Sequence, residues 1–327
     1  MKRKEFLSNL TFAGIAVSTL GTAVACKNPN KKVAPAIASA EPFFKLSLAQ
    51  WSIHKMIMKG DVSPYEFAAL SKKWGFAGLE YVSQLYTDVI KSESQLAAMD
   101  AFVTKNNALA DEHGLENLLI MIDGEGSIAS ADKTERLKTF DNHKKWVEAA
   151  SGMNCHSIRI NLFGEKDPDA WKNYAIEGLI PLCEYAKGYD VNIIIENHGN
   201  LSSNAGLLME VIEGTNMTNC GTLPDFGNFC VQRDTDSPYH GACLTEYDKY
   251  KGVEEMMPRA FGVSAKAYEF NEMGNETKID FLRMLSLVKN SGYKGYVGVE
   301  YEGNVLSEED GILATRDLLL RLGSEMA

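Results

Sequence analysis

The chain is poor in cysteine, and its cysteines show no repeated spacing. Six occur in 327 residues, and those that follow Cys26 are odd in number, unlike the framework of a disulfide-rich secreted domain. Their spacing also does not fit a tetrahedral zinc site. The fold must therefore rest on a conventional core, for which a composition that is 45% hydrophobic is ample. Among Cys220, Cys230 and Cys243, either one disulfide or only free thiols is compatible with the sequence.

The chain also has no excess of positive charge and no glycine-rich phosphate loop. The chain has 33 Lys and Arg against 44 Asp and Glu, a formal net charge of −11. Proteins that bind nucleic acid need a basic surface, so nucleic acid is excluded as a partner. Neither G-x-G-x-x-G nor G-x-x-x-x-G-K-[ST] occurs. Their absence disfavours a doubly wound nucleotide-binding sheet.

The longest apolar run lies at the N-terminus. A basic start is followed by apolar residues 10–25, which is the pattern of a secretory signal peptide. The run ends in AVAC at residues 23–26, which resembles the bacterial lipobox. That resemblance implies a signal peptide over 1–26 and a lipidated Cys26 in an exported, periplasm-facing lipoprotein, attached to the membrane only through its lipid. An ordinary signal peptide or a short membrane anchor is the alternative. Residues 27–44 are predicted to form a flexible tether.

From residue 45 to residue 327, strand-like and helix-like segments alternate. Eight strands are predicted, each followed by a segment of helical period. The predicted strands are 45–51, 78–82, 117–122, 157–162, 192–196, 221–224, 261–266 and 296–300. This pattern predicts an α/β fold of the (β/α)8 TIM barrel type in a single domain, for which about 250 residues is typical. A doubly wound open sheet is the alternative.

Three of the apolar runs end in a carboxylate: NIIIE at Glu196, TLPD at Asp225 and YVGVE at Glu300. An apolar run that ends in an acid predicts a buried parallel strand that carries a charge to the edge of the sheet. In a barrel, this edge is where the chemistry takes place. Converging carboxylates repel one another, so they need a cation or a bound proton. The sequence therefore predicts a site that binds a cation or moves protons.

Other polar side chains are predicted near the same strand ends. Those interpreted as substrate contacts are Gln50, His54, Glu80, Asn161 and Asn228. His198 lies two residues after Glu196 and so shares its face on an extended chain; it is a candidate metal ligand, substrate contact, acid or base. Lys266 is predicted inside a strand, where lysine is unusual. It is therefore a candidate functional cation.

Four segments together resemble one known family. They are IIIENHG at 193–199, TLPDFGN at 222–228, GVSAKAY at 262–268 and VGVEYEG at 297–303. Their order and spacing resemble the xylose isomerase-like TIM barrels, specifically the sugar phosphate isomerase/epimerase group. The resemblance covers the chain from about residue 45 onward and implies a single barrel that acts on a carbohydrate.

The resemblance also implies a divalent metal held by Glu196, Asp225 and Glu300 and by a histidine of the seventh strand. Ser264 stands where that histidine is expected. The fourth ligand would then be the Ser264 hydroxyl or a water molecule. Oxygen donors favour Mn²⁺ or Mg²⁺ over metals that prefer soft ligands. The alternative is that Lys266 supplies the positive charge and no metal is needed.

For the reaction, the resemblance implies a sugar isomerase or epimerase. Glu196 and Glu300 would exchange a proton at a carbon next to a carbonyl, while Lys266 or His198 stabilises the enediolate oxygen. Export favours a substrate without phosphate. Three alternatives stay open: a lyase or dehydratase acting on a keto-sugar or oxidised glycoside, a carbohydrate-binding lipoprotein without catalysis, and acids that are merely structural partners of Arg159 or Lys266.

Overall fold

The computed structural model describes residues 41–327. The predicted signal peptide, the lipidation site Cys26 and most of the predicted tether lie outside these residues, so they stay predictions. Within 41–327, no helix is both long and apolar enough to cross a membrane. The tether was predicted to extend to residue 44, but Phe44 is buried and its ring packs edge-on against Phe43. The packed chain therefore begins slightly earlier than expected.

Eight parallel strands form the central sheet, in the order β6-β5-β4-β3-β2-β1-β10-β9. They are β1 Lys45–Ala49, β2 Gly78–Val82, β3 Glu116–Ile122, β4 Ser157–Ile160, β5 Asn192–Glu196, β6 Cys220–Leu223, β9 Val263–Ala267 and β10 Tyr296–Tyr301. A separate antiparallel hairpin, β7 Cys230–Arg233 with β8 Cys243–Glu246, follows β6. The seventh and eighth barrel strands are therefore β9 and β10.

The sheet closes between β6 and β9. The amide of Ser264 donates to the carbonyl of Pro224 at 2.9 Å, and the amide of Phe226 donates to the carbonyl of Ser264 at 3.0 Å. A further bridge joins Thr222 and Ala260. Closure removes the open edges that a doubly wound sheet would have. The predicted single-domain (β/α)8 barrel is confirmed.

Helices cover the outside of the sheet. They are α1 His54–Lys59, α2 Phe67–Lys73, α3 Thr87–Ile90, α4 Gln95–His113, α5 Lys133–Gly152, α6 Pro168–Lys187, α7 Ala205–Gly214, α8 Lys249–Met256, α9 Phe281–Asn290 and α10 Glu308–Glu325. The predicted start signals are used, since Asp167 accepts from the amide of Ala170 and Ser307 accepts from the amide of Asp310. These caps fix where α6 and α10 leave the barrel rim.

Alternation along the strands divides the core into two layers. The larger layer lies between the helices and the outer face of the sheet. The smaller one fills the barrel and is formed by Ala49, Val82, Leu85, Leu119, Met121, Ile194 and Leu223. Residues two apart on a strand share a face. Glu196 and Asp225 therefore lie directly above the interior residues Ile194 and Leu223.

The sequence did not predict the β7-β8 hairpin, and the structure settles the open question of its cysteines. Cys230 and Cys243 form a disulfide. Cys155, Cys183 and Cys220 are free and buried. The hairpin escaped prediction because β8 is exposed along its whole length, so its sequence carries no alternation of apolar and polar residues.

Candidate functional site

Three carboxylates meet inside the barrel at the carboxyl ends of its strands. One oxygen each from Glu196, Asp225 and Glu300 lies within 4.8 Å of the other two. All three side chains are buried, with at most 3% of their surface exposed. We call these residues the acid cluster. The structure thus brings together the three residues on which the sequence interpretation rests, although they lie far apart along the chain.

Ser264 and Lys266 of β9 lie directly against the acid cluster. The Ser264 hydroxyl is 2.7 Å from Asp225 Oδ2 and 2.9 Å from Glu300 Oε2. A hydroxyl carries a single hydrogen, so it cannot donate fully to two carboxylates. Lys266 Nζ lies 3.0 Å from Glu300 Oε1 and 3.2 Å from Glu302 Oε2. Burial acts to lower the pKa of Lys266, but these carboxylates raise it well above its ordinary value, so the lysine is charged.

On the opposite side, Glu196 is held by Arg159 and Asn228. The Asn228 amide donates to Glu196 Oε1 at 2.9 Å. Arg159 Nε lies 3.0 Å from Glu196 Oε2, at an angle that leaves this oxygen without a hydrogen bond. The pairings that a purely structural role would require, Glu196 with Arg159 and Glu300 with Lys266, are both present. The acids are therefore partly neutralised by the protein itself.

The acids nevertheless outnumber the cations around them. The buried cations are Arg159 and Lys266, and the acids in contact with them are Asp123, Glu196, Asp225, Glu300 and Glu302. Burial raises the pKa of Glu196 to about 8 and that of Asp225 to about 6. Without a further cation, the acid cluster therefore holds protons near neutral pH.

His198 is fixed in one tautomer by a hydrogen-bonded chain. Asn161 donates from its amide to Asp123 at 2.6 Å, and its carbonyl accepts from Arg159 at 3.0 Å. That same carbonyl oxygen lies 2.6 Å from His198 Nδ1, so Nδ1 carries the hydrogen. Burial, with the nearby charge of Arg159, lowers the pKa of His198 to about 3. His198 is therefore neutral, and its Nε2 lone pair is an acceptor.

A cavity of about 1040 Å³ opens above the acid cluster. Glu300 and Asn228 reach its floor, and Arg159, Asn161 and His198 form one side. Further residues of the wall are Trp51, His54, Lys55, Asp123, Phe163, Arg233, Tyr239, Tyr268 and Glu302. Among them, Trp51 stacks on His54 with ring centroids 4.1 Å apart, and the Trp51 indole N–H donates to Glu302.

Two predicted substrate contacts lie elsewhere. The Gln50 side chain forms hydrogen bonds within the scaffold. Its amide donates to Pro64 and Tyr86 at 3.0 Å, and its oxygen accepts from the Val82 amide. The prediction of a ligand contact for Gln50 does not agree with this placement. It failed because the chain turns into a 3-10 helix directly after β1, which points the side chain outward from the barrel axis.

Glu80 points into the barrel but lies below the cavity. Ser47 donates to Glu80 Oε1 at 2.6 Å, and the carboxylate packs over Gly298, where an added Cβ would lie 2.4 Å from it. Burial raises the pKa of Glu80 to about 7, and its Oε2 has no hydrogen-bond partner. The predicted substrate contact is corrected to a buried acid one layer beneath Glu300.

The donor set of the acid cluster fits a divalent metal. Glu196, Asp225 and Glu300 supply carboxylate oxygens, and Ser264 supplies a hydroxyl at the position where the resemblance implies a histidine. Glu196 Oε2 is buried with an unused lone pair, and the excess of acids over cations calls for positive charge. An all-oxygen set suits a hard ion such as Mg²⁺ or Mn²⁺. Arg159 and Lys266 remain as competitors for the same carboxylates.

The chain belongs to the Xylose isomerase-like TIM barrel family, whose sequence profile matches residues 68–322. The match includes every residue of the acid cluster together with Ser264 and Lys266. It agrees with the family suggested by the four segments of the sequence.

Solved structures of similar fold include several sugar-converting proteins. The structure of L-ribulose 3-epimerase has a TM-score of 0.63 at 15% identity and covers 86% of this chain and 95% of its own. IOLI protein with a binding zinc atom has a TM-score of 0.62 at 16% identity, with 86% and 99% covered. A Xylose isomerase-like TIM barrel protein from Mycobacterium smegmatis in complex with magnesium has a TM-score of 0.56 at 15% identity, with 86% and 97% covered. At such identities, these matches show the fold.

One curated relative matches over a short segment. It is the C-glycoside deglycosidase alpha subunit of Arthrobacter globiformis, 37% identical over 54 residues. The segment spans 16% of this chain and 15% of the relative. So short a match covers too little of either protein to show a shared activity.

Proposed function

We propose that this protein is a sugar isomerase or epimerase that moves a proton at a carbon next to a carbonyl. The observation that carries the proposal is the acid cluster: three buried carboxylates within 4.8 Å of one another at the carboxyl ends of barrel strands, of which Glu300 reaches the floor of a cavity. Burying charges that have no use is costly, so such a cluster is typical of a functional site. The sugar epimerases of similar fold support the same reaction class.

Glu196 and Glu300 are the proposed acid and base. Each can hold or release a proton, and burial raises the pKa of Glu196 to about 8, close to neutral pH, where a general acid or base works best. Lys266, 3.0 Å from Glu300, donates hydrogen bonds that stabilise negative charge developing on the substrate oxygen. His198 presents a neutral Nε2 acceptor that can orient a sugar hydroxyl.

A divalent metal is proposed as the cofactor, held by Glu196, Asp225 and Glu300 with Ser264 beside them. When bound, it would polarise substrate oxygens as a Lewis acid. Asp225 is the most firmly positioned of these acids, because its Oδ1 accepts from the amides of Gly227 and Asn228 at 2.8 Å. Mg²⁺ and Mn²⁺ are the ions that these oxygens favour.

The substrate is proposed to be a carbohydrate without phosphate. The cations of the cavity wall are already engaged: Lys55 donates to Gly303 and Asn304, Arg159 to Asp123, and Arg233 to Pro238 and Gly241. Of these three, Arg159 is neutralised by carboxylates, whereas the partners of Lys55 and Arg233 are uncharged oxygens. Around the acid cluster the acids outnumber the cations, which disfavours a phosphate beside them. The proposed export of the protein agrees with this, and so does the Cys230–Cys243 disulfide, since disulfides persist in oxidising compartments.

Two alternatives share the same site. Loss of a leaving group after the same proton abstraction would make the protein a lyase acting on a keto-sugar or oxidised glycoside; the short match to a C-glycoside deglycosidase subunit favours it. A carbohydrate-binding protein without catalysis is favoured by the intramolecular pairs of Arg159 and Lys266, which stabilise the acids without a substrate.

Product analysis distinguishes these functions. Purified protein would be incubated with Mg²⁺ or Mn²⁺ and a panel of ketoses and keto-glycosides, and the mixtures followed by NMR. An epimeric or isomeric sugar supports the proposal, and an unsaturated product supports the lyase. Binding detected by the same spectra without any conversion across the panel would overturn the proposal in favour of a receptor. Chelator-treated protein that keeps full activity would contradict the metal.

A further inference from the structure

The segment that forms one wall of the cavity is closed by a disulfide. We call residues 230–243 the disulfide loop. Cys230 and Cys243 join its ends, and Arg233 fastens its interior by donating at 3.0 Å to the carbonyls of Pro238 and Gly241. Asp234 adds two bonds to Ala242, through its backbone amide and its side chain. These bonds restrict the loop, so little conformational freedom is left to be lost when a ligand binds.

The disulfide loop rests directly on β5's outgoing turn. Gly199 has a φ of +92°, and a Cβ at this position would lie 2.7 Å from the carbonyl oxygen of Pro238. Only glycine therefore allows the loop to approach so closely. The contact brings Pro238, Tyr239 and His240 to the cavity wall.

Tyr239 is an aromatic side chain held in place with much of its surface exposed. Its hydroxyl lies 3.3 Å from His198 Nδ1, and its ring packs edge-on against Phe163 with centroids 5.9 Å apart. Yet 45% of Tyr239 is exposed, and both rings line the cavity. A fixed aromatic surface costs little entropy on binding and suits the flat, weakly polar face of a ring.

The size and charge of the cavity indicate what this surface would meet. The volume of about 1040 Å³ lies at the upper end of small-molecule pockets, which range from about 300 to 1,000 Å³, and exceeds what one sugar ring fills. Glu300 of the acid cluster lies at the floor, whereas Tyr239 and Phe163 lie on the wall. Arg233 is held within the loop by its bonds to Pro238 and Gly241, and the rings of Tyr239 and Phe163 give this wall its apolar surface.

We infer that the disulfide loop and Phe163 form a second subsite for an uncharged ring attached to the sugar. The protein would thus take glycosides whose sugar unit lies over the acid cluster and whose second ring packs on Tyr239. This inference rests on the proposed carbohydrate function of the same cavity. It adds a subsite on the disulfide loop, a segment outside the acid cluster and its proposed catalytic groups.

Paired glycosides test the subsite. Binding of methyl and phenyl glycosides of β-D-glucose, β-D-galactose and β-D-mannose would be measured by calorimetry and ligand-observed NMR. For at least one sugar, the phenyl glycoside should bind about three- to tenfold more tightly than the methyl glycoside. Tyr239→Ala should remove that preference, so that the phenyl and methyl glycosides bind with similar Kd. Tyr239→Phe, which keeps the ring, should retain the preference.

Leu244→Ala is the matched control. Leu244 lies on the same hairpin, is 61% exposed and does not line the cavity, so its loss should leave both affinities unchanged. Equal binding of phenyl and methyl glycosides by the wild-type protein would overturn the subsite alone. A preference that survives in Tyr239→Ala would also overturn it. If no glycoside of the panel binds, the subsite is overturned, and the carbohydrate function is judged separately by conversion of the ketoses and keto-glycosides.

Discussion

The two ends of the barrel use polar side chains for opposite purposes. Strand β5 shows both, with Asn192 where it begins and Glu196 where it ends. The Asn192 amide donates at 2.6 Å to the carbonyl of His156, a complete and neutral bond to the backbone. Glu196 is a buried acid with an orphaned oxygen, and burial raises its pKa to about 8. Of these two side chains, only Glu196 can take up or release a proton near neutral pH.

The same contrast recurs on other strands. At the amino end of β3, Asn117 donates to the carbonyl of Met153 and accepts from the Tyr81 hydroxyl. At the carboxyl ends, Asp225 and Glu300 repel each other and need Ser264, Lys266 or a metal between them. Satisfied amides stabilise a fold, whereas groups held in costly protonation states typically serve function. The contrast therefore indicates that the candidate site lies at the carboxyl ends of the strands, without reference to any relative.

The largest effect is expected from substitutions in the acid cluster. Glu196→Gln and Glu300→Gln should each lower turnover on the substrate found by NMR by about 10³-fold, or about 4 kcal/mol of activation free energy. The reason is that glutamine keeps the shape but cannot accept a proton. Circular dichroism should show the barrel intact. Turnover near the wild-type value in both variants would remove Glu196 and Glu300 from the mechanism.

Lys266→Met should come next, because it removes a buried cation and leaves its carboxylates unpaired. We expect the free energy of unfolding in urea to fall by about 3–5 kcal/mol in the absence of divalent metal. Mg²⁺ or Mn²⁺ should then raise the melting temperature of this variant more than that of the wild type. A variant that loses no stability, or one that the metals do not stabilise, would contradict the balance of charges proposed here.

Glu80→Gln isolates an acid that lies beneath the site. Since burial raises the pKa of Glu80 to about 7 from about 4.5, the folded state binds more protons than the unfolded state between these pH values. Wild-type stability should therefore fall as pH rises from 5 to 8. The variant should gain on the order of 2–3 kcal/mol relative to wild type over that interval. Urea unfolding at both pH values measures this, and a difference that is independent of pH would show that Glu80 is ionised throughout.

The smallest effect is expected at the amino end of β5. Asn192→Ala should lower the free energy of unfolding by about 1 kcal/mol, because one half-buried hydrogen bond is lost. The His156 carbonyl keeps its bond from the Asn192 backbone amide, which limits the damage. Turnover per folded molecule should not change. A loss of turnover comparable to that of Glu196→Gln would erase the distinction between the two ends.

The barrel and the acid cluster could be predicted because both leave a local trace in the sequence. Apolar runs of strand length end at Glu196, Asp225 and Glu300, and parallel strands of a barrel bring their carboxyl ends together. The places of Asp225 and Ser264 follow from their positions along their strands. Their proximity could therefore be predicted without contact information. Sequence order along each strand is thus enough to find the floor of the site.

Arg159 and the disulfide loop could not be assigned in this way. Arg159 lies within β4, and the sequence offered its pairing with the acids only as one alternative, because nothing in SIRIN shows that the guanidinium reaches across to Glu196 of the next strand. The Cys230–Cys243 pairing depends on a hairpin whose outer strand is fully exposed and has no apolar pattern. Gln50 was misplaced because position after a strand does not fix the direction of a side chain once the chain turns. Such features depend on long-range packing.

Solvent-deuterium exchange tests the central claim most directly. The wild-type protein, Glu300→Gln and Asn192→Ala would each be incubated in deuterated water with the converted sugar, and deuterium located by NMR. We predict that the wild type and Asn192→Ala incorporate deuterium at a carbon next to the carbonyl, whereas Glu300→Gln does not within the same time. Conversion of the sugar without deuterium at that carbon, or equal incorporation by Glu300→Gln, would contradict proton transfer by the acid cluster.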